Sequence, residues 1–475
     1  MRNSYHNTSR DRTRSGSRGP LGSVNAHHDK RSLDDLMRDC SSLGRNSVYS
    51  RAIITTAIDF TVGEETIVDP RTDDADWNKD VRERFADWCE VCDNTGQLSF
   101  NEIAGDVVKS WFTSGAKLAN KIVVNGRYCR LEMIDPIRLM NEAGRGDSRE
   151  MLGGVQVDLK TNRPIKYWVA DWNEQGTGVD YDPKPYDATG IWLVNNPRLQ
   201  EAGQLRTAPR FAASIDKIEA LETACKSTMG AYQLATFFAL FITRNSPQGV
   251  PTQQVMAQAM VDQGLAKNQQ EAIDRGVWQP MSVMEGLDGE DVKQIKPEHP
   301  TTGFSDMMWD ELMVICAEQG YPLELVFMRF IRNYSASRSA IAVAWKKIRK
   351  DQKSLIRRFY RPVYLWWLAN EIRQGRIKNP PNNQWSKCGF LMPRMPVLDP
   401  KAEAEAWLMQ LSGGIKRHRE VLHENDQGER DEFMTDFAEE RKTNEDAGLT
   451  YGKPEQTTKS VSVNVEDEQG SELDA

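Results

Sequence analysis

The side chains best suited to chemistry in this chain are those of its cysteines and histidines, which bind metals or act as nucleophiles. Cys89 and Cys92 have the C-x-x-C spacing of zinc sites and redox-active dithiols. However, the chain has no second cysteine pair and no histidine at zinc-finger spacing. His418 and His423 are five residues apart, so they do not share a helical face. The sequence therefore predicts no metal site, and two buried thiols near Phe85 instead.

Motifs that mark phosphate-binding or catalytic sites are missing from the chain. The nearest approach to a G-x-x-x-x-G-K-[ST] loop is Gly452 with Lys453, which a proline follows and no upstream glycine precedes. There is no G-x-S-x-G elbow and no H-E-x-x-H motif. Carboxylate pairs such as Asp34 and Asp35 are adjacent in sequence, so they point apart on a regular element. We therefore predict no catalytic residue, no cofactor and no enzyme activity.

The strongest charge feature is a basic run in which Asp351 is the only acidic residue. The basic residues are Arg329, Arg332, Arg338, Lys346, Lys347, Arg349, Lys350, Lys353, Arg357, Arg358 and Arg361. One interpretation is a solvated helix face, which composition alone favours because most charge runs are solvated. The other is a surface that contacts phosphates or the acidic side chains of a neighbouring subunit, since a field of one sign is costly unless it is neutralised.

The basic run lies on a predicted long helix. Its apolar side chains recur mostly at steps of three and four residues: Ile341, Trp345, Ile348, Leu355, Phe359 and Val363. The segment from Ser335 to Arg361 would be roughly 40 Å long as a helix, and Pro362 is expected to bend it near its end. Gly320 and Pro322 end the preceding helix. The candidate N-caps are Asn333, Ser335 and Ser337.

These elements carry a resemblance to a known family. The runs GYPLELVF, NYSASR and RPVYLWWL, in this order, resemble motifs shared by the lambda-type bacteriophage portal proteins. The matching positions are Gly320, Pro322, Glu324, Asn333, Tyr334, Ser335, Arg338, Pro362, Val363, Tyr364 and Trp367. The chain departs from the pattern at Ala336, where the family usually has a second serine.

Earlier segments resemble the same family. The string GGVQVDLKTNRPIKYWV is similar to a family hairpin, and GQLRTAP is similar to a signature that precedes the first stem helix. In that signature Thr207 stands where the family usually has glycine. Helices are predicted from Leu33 to Phe60, with a break around Gly44 to Ser47, and from Trp77 to Cys92. The resemblance covers roughly residues 31 to 450.

The resemblance implies a predominantly helical α+β fold of the portal type, with wing, stem, clip and C-terminal helical (crown) regions. The expected parts are a disordered basic arm (1–30), an α+β wing region (31–210), a stem helix (211–245), a clip-like lobe (246–302), a returning stem helix (303–319), a channel loop (320–334), a long wing helix with a Pro-rich connection (335–398), a crown region (399–450) and a disordered acidic tail (451–475).

Charge and composition are consistent with this division. The 475 residues, 39% of them hydrophobic, suffice for several domains. The net charge is −8, but residues 424–475 alone carry −11, so the remainder carries +3. Seven cysteines, an odd number, indicate reduced thiols. No apolar run approaches the ~18 residues of a membrane span, so no membrane association is expected.

As a portal, the protein would form a ring of about twelve copies, a dodecamer, at one vertex of the virion capsid. The expected partners are double-stranded DNA without sequence preference, the terminase large subunit, the major capsid or scaffolding protein and a head–tail connector protein. Assembly would take place in the cytoplasm of the host bacterium. The alternative is a nucleic-acid-processing enzyme of the packaging machinery, a nuclease or ATPase, which the missing motifs disfavour.

Two groups of residues are candidates for the site. Those for the channel loop or a subunit boundary are Glu324, Arg329, Arg332, Asn333, Ser335 and Arg338. Those for the basic face of the long helix are Lys346, Lys347, Arg349, Lys350, Lys353, Arg357 and Arg358. Because strong attraction to each phosphate would slow DNA movement, we expect the loop arginines to pair partly with acids such as Glu318 or Glu324 at subunit boundaries.

Overall fold

The computed structural model describes residues 30–176, 178–198, 200–237, 241–242, 284–285, 303–329, 334–379, 384–395, 400–414, 437–438, 441–442 and 444. Contacts divide the chain into two units, residues 1–395 and 396–475. The predicted arm apart from Lys30, nearly all of the predicted clip and the predicted acidic tail lie outside the described residues, as do all six histidines.

Two helices follow the amino-terminal segment: α1 (Lys30–Asn46) and α2 (Val48–Thr61). Ser47 separates them, because its backbone is extended and its Oγ accepts a hydrogen bond from the Ser50 amide at 3.3 Å. A break was predicted around Gly44 to Ser47, and it lies at the end of that range. The buried face of α2 includes Ile53.

The next two helices are α3 (Ala75–Glu90) and α4 (Phe100–Thr113). A capping box begins α4: Ser99 and Glu102 each bind the other's backbone amide. The bounds of α3 lie close to those predicted, Trp77 to Cys92, and the helix contains Cys89. Most of α4 is buried, so this helix lies at the centre of the larger unit.

Two antiparallel sheets follow α4. Their strands are β2 (Ala116–Val124), β3 (Tyr128–Ile134), β4 (Met151–Leu152), β5 (Val155–Val157), β6 (Pro164–Val169), β7 (Lys184–Asp187) and β8 (Ile191–Asn195). One sheet has the order β3-β2-β8 and the other β4-β5-β6-β7. Apolar residues of both sheets, including Leu118 and Val155, pack together in one hydrophobic cluster. The predicted hairpin is therefore present as β5 and β6, whereas β7 was not predicted.

The remaining elements are mostly helical. They are α5 (Ile215–Phe237), α6 (Gly303–Gln319), α7 (Leu323–Val326), α8 (Tyr334–Leu355), a π-helical turn (Ile356–Tyr360), α9 (Arg361–Arg373) and, in the second unit, α10 (Pro400–Ser412). Short strands β9 (Phe241–Ile242) and β10 (Met284–Glu285) pair with each other. Helices therefore predominate in a mixed α and β fold, as predicted. No helix in the described ranges has the length and apolar character needed to cross a bilayer.

The long helix is continuous from Tyr334 to Arg373. Just before Pro362, the chain widens into the π-helical turn. Proline donates no hydrogen bond and clashes with the preceding turn, and the wider turn accommodates both effects. The long helix predicted from Ser335 is thus confirmed, and it contains a π-helical turn before Pro362.

Aromatic rings anchor the second half of this helix. Phe85 lies 5.4 Å from Tyr364 and 5.0 Å from Trp367, and Phe100 stacks on Phe359 at 5.4 Å between ring centroids. Such pairs contribute roughly 0.5–1.5 kcal/mol each beyond the area they bury. The predicted Pro-rich connection also contains a strand, β11 (Cys388–Leu391), which pairs with β1 (Ile67–Pro70).

Candidate functional site

The one acidic residue of the basic run occupies the buried face of α8. Asp351 is 1% exposed and lies between Ile348 and Leu355, which are fully buried. Its carboxylate accepts hydrogen bonds from Arg198 at 3.1 and 2.6 Å and from Arg210 at 2.9 and 3.1 Å. Each guanidinium therefore binds the same carboxylate through two nitrogens, which is the strongest geometry for this pairing.

The two arginines come from one segment that follows β8. Arg210 begins a short 3-10 turn, is 3% exposed and donates from Nε to Asn196 Oδ1 at 3.0 Å. Its guanidinium lies 5.2 Å from the ring of Trp111 and 4.9 Å from that of Phe112, both in α4. The aromatic faces favour the cation because this pocket excludes water.

Arg198 extends the network to the end of α6. Its Nη1 donates to the carbonyl oxygen of Gln319, and its guanidinium lies 5.5 Å from the ring of Tyr321. In return, Gln319 Nε2 donates to the carbonyl oxygen of Arg210 at 3.2 Å. The cluster of Arg198, Arg210, Gln319 and Asp351, hereafter the buried ion cluster, therefore joins three separate parts of the chain.

Gly320 permits this close approach. It follows the last residue of α6 with φ of 81°, and the amides of Gly320 and Tyr321 bind the carbonyls of Ala317 and Cys316, which closes a Schellman motif. A Cβ at Gly320 would collide with Nη1 of Arg198 and lie 2.9 Å from Cδ of Lys347. The G-Y-P turn of the family motif is thus fixed against the buried ion cluster.

Electrostatics keep the cluster charged. Burial alone would raise the pKa of Asp351, but the adjacent Arg210 and Arg198 outweigh it and hold that pKa below its ordinary value. The pKa of Arg198 is raised, since Asp351 more than offsets the effect of burial. The buried Arg210 and the partly buried Arg198 share one carboxylate, so removal of Asp351 would leave both without their counter-charge.

Beyond the Schellman motif the chain forms the short helix α7, whose half-buried Glu324 is one of the predicted site residues. Arg329 then lies with its guanidinium 3.9 Å from the ring centroid of Trp309 on α6. Phe327 packs edge-on against Trp309 at 5.9 Å and against Tyr49 at 6.2 Å. The start of the predicted channel loop is therefore fixed to α6 and α2.

The other loop candidates are only partly placed. Arg332 and Asn333 lie outside the described residues, and Ser335 is in the first turn of α8. Arg338 is half-buried one turn later. Arg329 meets Trp309 within the chain, and Glu318 accepts a hydrogen bond from Ser214 at 3.0 Å. The pairing of loop arginines with acids at subunit boundaries stays a prediction.

The structure divides the predicted basic face into two groups. Lys346, Lys350, Lys353 and Arg357 are exposed. Lys347 is exposed as well but donates to the Ala317 carbonyl at 3.4 Å, and Arg349 is half-buried. Arg358 donates to the Asn195 carbonyl at 2.9 Å and to Gln200 Oε1 at 2.6 Å. Arg358 therefore holds the chain beyond β8 against the long helix.

The arginine of the GQLRTAP signature, Arg206, is another buried cation. Arg206 is 6% exposed and donates to the carbonyls of Gly153 at 3.2 Å and Pro136 at 3.1 Å. Next to it, Thr207 Oγ1 donates to the Gly115 carbonyl at 2.6 Å. A hydroxyl thus makes a definite contact where the family usually has glycine.

The cysteine pair is buried, as predicted. Cys89 lies in α3 and Cys92 just beyond its end, and burial raises the pKa of both thiols, that of Cys92 to about 12. Within the ranges that the structure describes, no three His, Cys, Asp or Glu side chains converge as metal ligands would.

Sequence reasoning did not identify Arg198 and Arg210 as partners of Asp351. The available signal was the position of Asp351, three residues after Ile348 and four before Leu355, on the apolar face of the helix. A charge at such a position requires a partner, because an unpaired buried carboxylate is costly. The sequence alone does not say which arginine supplies it.

Comparison with solved structures finds distant similarity. The chain aligns with a chain of the virion of a native gene transfer agent particle at 14% identity and a TM-score of 0.45, covering 85% of this chain and 95% of the other. The neck of the empty particle, computed with C6 symmetry, aligns at 15% identity and a TM-score of 0.45, covering 81% and 92%. The neck of the native particle, computed with C12 symmetry, aligns at 14% identity and a TM-score of 0.45, covering 81% of this chain and 92% of the other.

No curated protein sequence matches the chain. A protein family does: the family described as phage portal protein, lambda family, matches residues 10–352. This range includes both sheets, the buried ion cluster and the basic stretch of α8 as far as Gln352. The chain therefore belongs to the lambda family of phage portal proteins.

Proposed function

We propose that this chain is one subunit of a closed ring that forms the channel for double-stranded DNA at one vertex of a phage head, about twelve copies making the ring. In addition to family membership, the observation that supports this role is the buried ion cluster. It fixes the end of α6, and hence the start of the channel loop, to the long helix. A loop mounted on such a rigid frame keeps its position while a polymer passes.

In this proposal α5 and α6 form the stem and residues 320–334 narrow the channel. Residues 31–210 form the wing, residues 246–302 the clip, and residues 399–450 the crown. Such a channel admits DNA of every sequence, so its contacts are with the phosphate backbone rather than with base edges. The protein acts by shape and charge and carries out no chemical step.

The partners of the ring follow from the same proposal. The terminase large subunit drives DNA through the channel during packaging, and a head–tail connector protein later occupies the same end. The major capsid or scaffolding protein surrounds the ring in the particle. Assembly takes place in the bacterial cytoplasm before the ring enters the virion.

A nuclease or ATPase of the packaging machinery is the competing function. Both functions are tested on one preparation of the purified chain. Negative-stain electron microscopy and sedimentation are expected to show rings with a central hole, without hydrolysis of ATP or cleavage of DNA. A chain that stays monomeric at every concentration and salt condition, or that turns over nucleotide by itself, would contradict the ring proposal.

A further inference from the structure

One exposed face of the long helix, in α8 and the π-helical turn that follows it, carries four cations in a line. Lys346, Lys350, Lys353 and Arg357, hereafter the basic stripe, are spaced by four, three and four residues, so they follow one side of the helix over about 17 Å. No ion pair joins any of them to an acid in the described part of the chain.

The basic stripe lowers the stability of the helix in the isolated subunit. Each neighbouring pair of like charges at this spacing destabilises a helix by roughly 0.2–0.5 kcal/mol. The face opposite the stripe buries Ile348 and Leu355, so packing holds these cations in their alignment. A preformed row of like charges is suited to a partner that carries the opposite charge along a similar length.

The matching surface lies between β6 and β7. Residues 171–176 and 178–182, hereafter the acidic loop, carry the exposed carboxylates of Glu174, Asp180 and Asp182. None of the three forms an ion pair with a described residue. Two exposed aromatic side chains accompany them, Trp172 at 49% and Tyr181 at 80% exposure. Exposed aromatic residues of this kind are enriched at protein interfaces.

The acidic loop is folded before it binds anything. The Asp180 amide donates to the Asp171 carbonyl at 2.7 Å, and the Asn173 amide donates to the Gly178 carbonyl at 2.9 Å. The carboxylate of Asp171 accepts from Arg138 and Lys184, each at 2.9 Å, which clamps the base of the loop. A surface that is already ordered loses little entropy on association.

We infer that the basic stripe of one copy docks on the acidic loop of the next copy, an inference that rests on the proposed ring. Head-to-tail contacts in a closed ring join two different surfaces of the same chain, and these two have opposite charge. The proposed channel loop ends where α8 begins, and the stripe lies about 18 to 35 Å farther along this helix. That separation favours a protein partner over DNA in the channel.

Charge reversal with rescue tests this contact. The stripe variant carries Lys346→Glu, Lys350→Glu, Lys353→Glu and Arg357→Glu. The loop variant carries Glu174→Lys, Asp180→Lys and Asp182→Lys, and a third chain carries both sets. We expect each single set to lower the association constant of subunits at least about tenfold, and the combined chain to recover it, because its charges are complementary again.

A matched control reverses four exposed cations outside the stripe: Arg51, Lys79, Lys378 and Lys387, each changed to Glu. It changes the net charge by the same amount and is expected to leave ring formation within about twofold of the unaltered chain. If the control weakens rings as much as the stripe variant does, or if the combined chain fails to recover, the inference is wrong.

Zero-length cross-linking of the unaltered rings supplies a readout that does not depend on any variant folding. A carbodiimide joins a lysine amine to a carboxylate only where the two are in contact. Mass spectrometry of cross-linked dimers is expected to join Lys346, Lys350 or Lys353 to Glu174, Asp180 or Asp182. Stripe lysines joined only to other acids, or a stripe variant that forms normal rings but loses DNA retention, would overturn the inference. Absence of rings from the unaltered chain would instead refute the proposed function beneath it.

Discussion

Arg210 and Asp351 form a bidentate ion pair, with N–O distances of 2.9 and 3.1 Å, in which neither side chain is more than 3% exposed. The pair joins a segment that follows the sheets to the middle of the long helix. Because Arg198 binds the same carboxylate and also the end of α6, the pair lies at the point where the frame of the subunit meets its predicted channel loop.

Replacement of the shared carboxylate is expected to destabilise the protein strongly. Asp351→Asn keeps the shape but leaves the buried Arg210 and the partly buried Arg198 without a counter-charge, so the free energy of unfolding should fall by about 3–5 kcal/mol. Urea unfolding followed by circular dichroism measures the change. Asp80→Asn, which removes an exposed pair with Arg84, is the control and should cost less than about 1 kcal/mol. Equal effects would contradict a special role for the cluster.

The same carboxylate makes stability depend on pH. The pKa of Asp351 is lower in the folded protein than in the unfolded chain, so its contribution is fully present above the unfolded value of about 3.9 and is lost as the pH falls through the folded value. The difference in unfolding free energy between the unaltered protein and Asp351→Asn should therefore be constant near neutral pH and shrink below about pH 4. If this difference in unfolding free energy stays the same down to about pH 2, the lowered pKa of Asp351 is contradicted.

Gly320→Ala tests the turn after α6. A side chain there meets Nη1 of Arg198 and is strained by the φ of 81°, so we expect a loss of roughly 2–4 kcal/mol, seen as a lower melting temperature. Gly126→Ala is the matched control, because Gly126 has φ of 68° with no atom within 4 Å of its Cβ position. It carries the backbone strain alone and should cost about 1 kcal/mol. If Gly126→Ala lowers the melting temperature as much as Gly320→Ala does, backbone strain explains the whole effect and the collision with Arg198 adds nothing.

Arg338→Ala is expected to reduce ring assembly if the arginines near the channel loop act at subunit boundaries. Arg338 is half-buried near the start of α8, and in a closed ring the same substitution weakens every boundary between neighbouring subunits. Sedimentation velocity measures the fraction of rings at fixed concentration. Intact rings that package DNA slowly would instead indicate that this side chain faces the DNA.

The contact between Arg329 and Trp309 is expected to order the start of the loop. Trp309→Leu removes the ring on which the cation lies and should cost about 1–2 kcal/mol in local stability. Hydrogen exchange of the amides of residues 327–329 measures it directly. Exchange in this segment should speed up, whereas amides of α4 should be unchanged. Unchanged exchange at 327–329 would show that the packing of Phe327 on Tyr49 holds the segment without the ring of Trp309.

Much of the fold could be predicted from local sequence signals. Ser47 and the Ser99–Glu102 box mark helix starts, and alternating residues mark β5 and β6, because these signals act over a few residues. β1 and β11 were missed. They pair across more than 300 residues, as Val68 does with Phe390, and neither is long enough to show a period. The partners of Asp351 were missed for the same reason, since contacts distant in sequence leave no local pattern.

The π-helical turn decides which neighbours the long helix can meet. Its buried positions include 348, 351, 352, 355, 359, 360, 363, 364, 367 and 368, so one side of the helix stays buried through the wide turn and beyond it. In a regular helix one additional residue would rotate everything after it by about 100°, and the wide turn absorbs this rotation. The long helix therefore presents the Asp351 carboxylate to the arginines in its first half, and aromatic rings to α3 in its second half. Deletion of one residue between 356 and 360 would restore regular winding and leave Tyr364 and Trp367 facing Phe85.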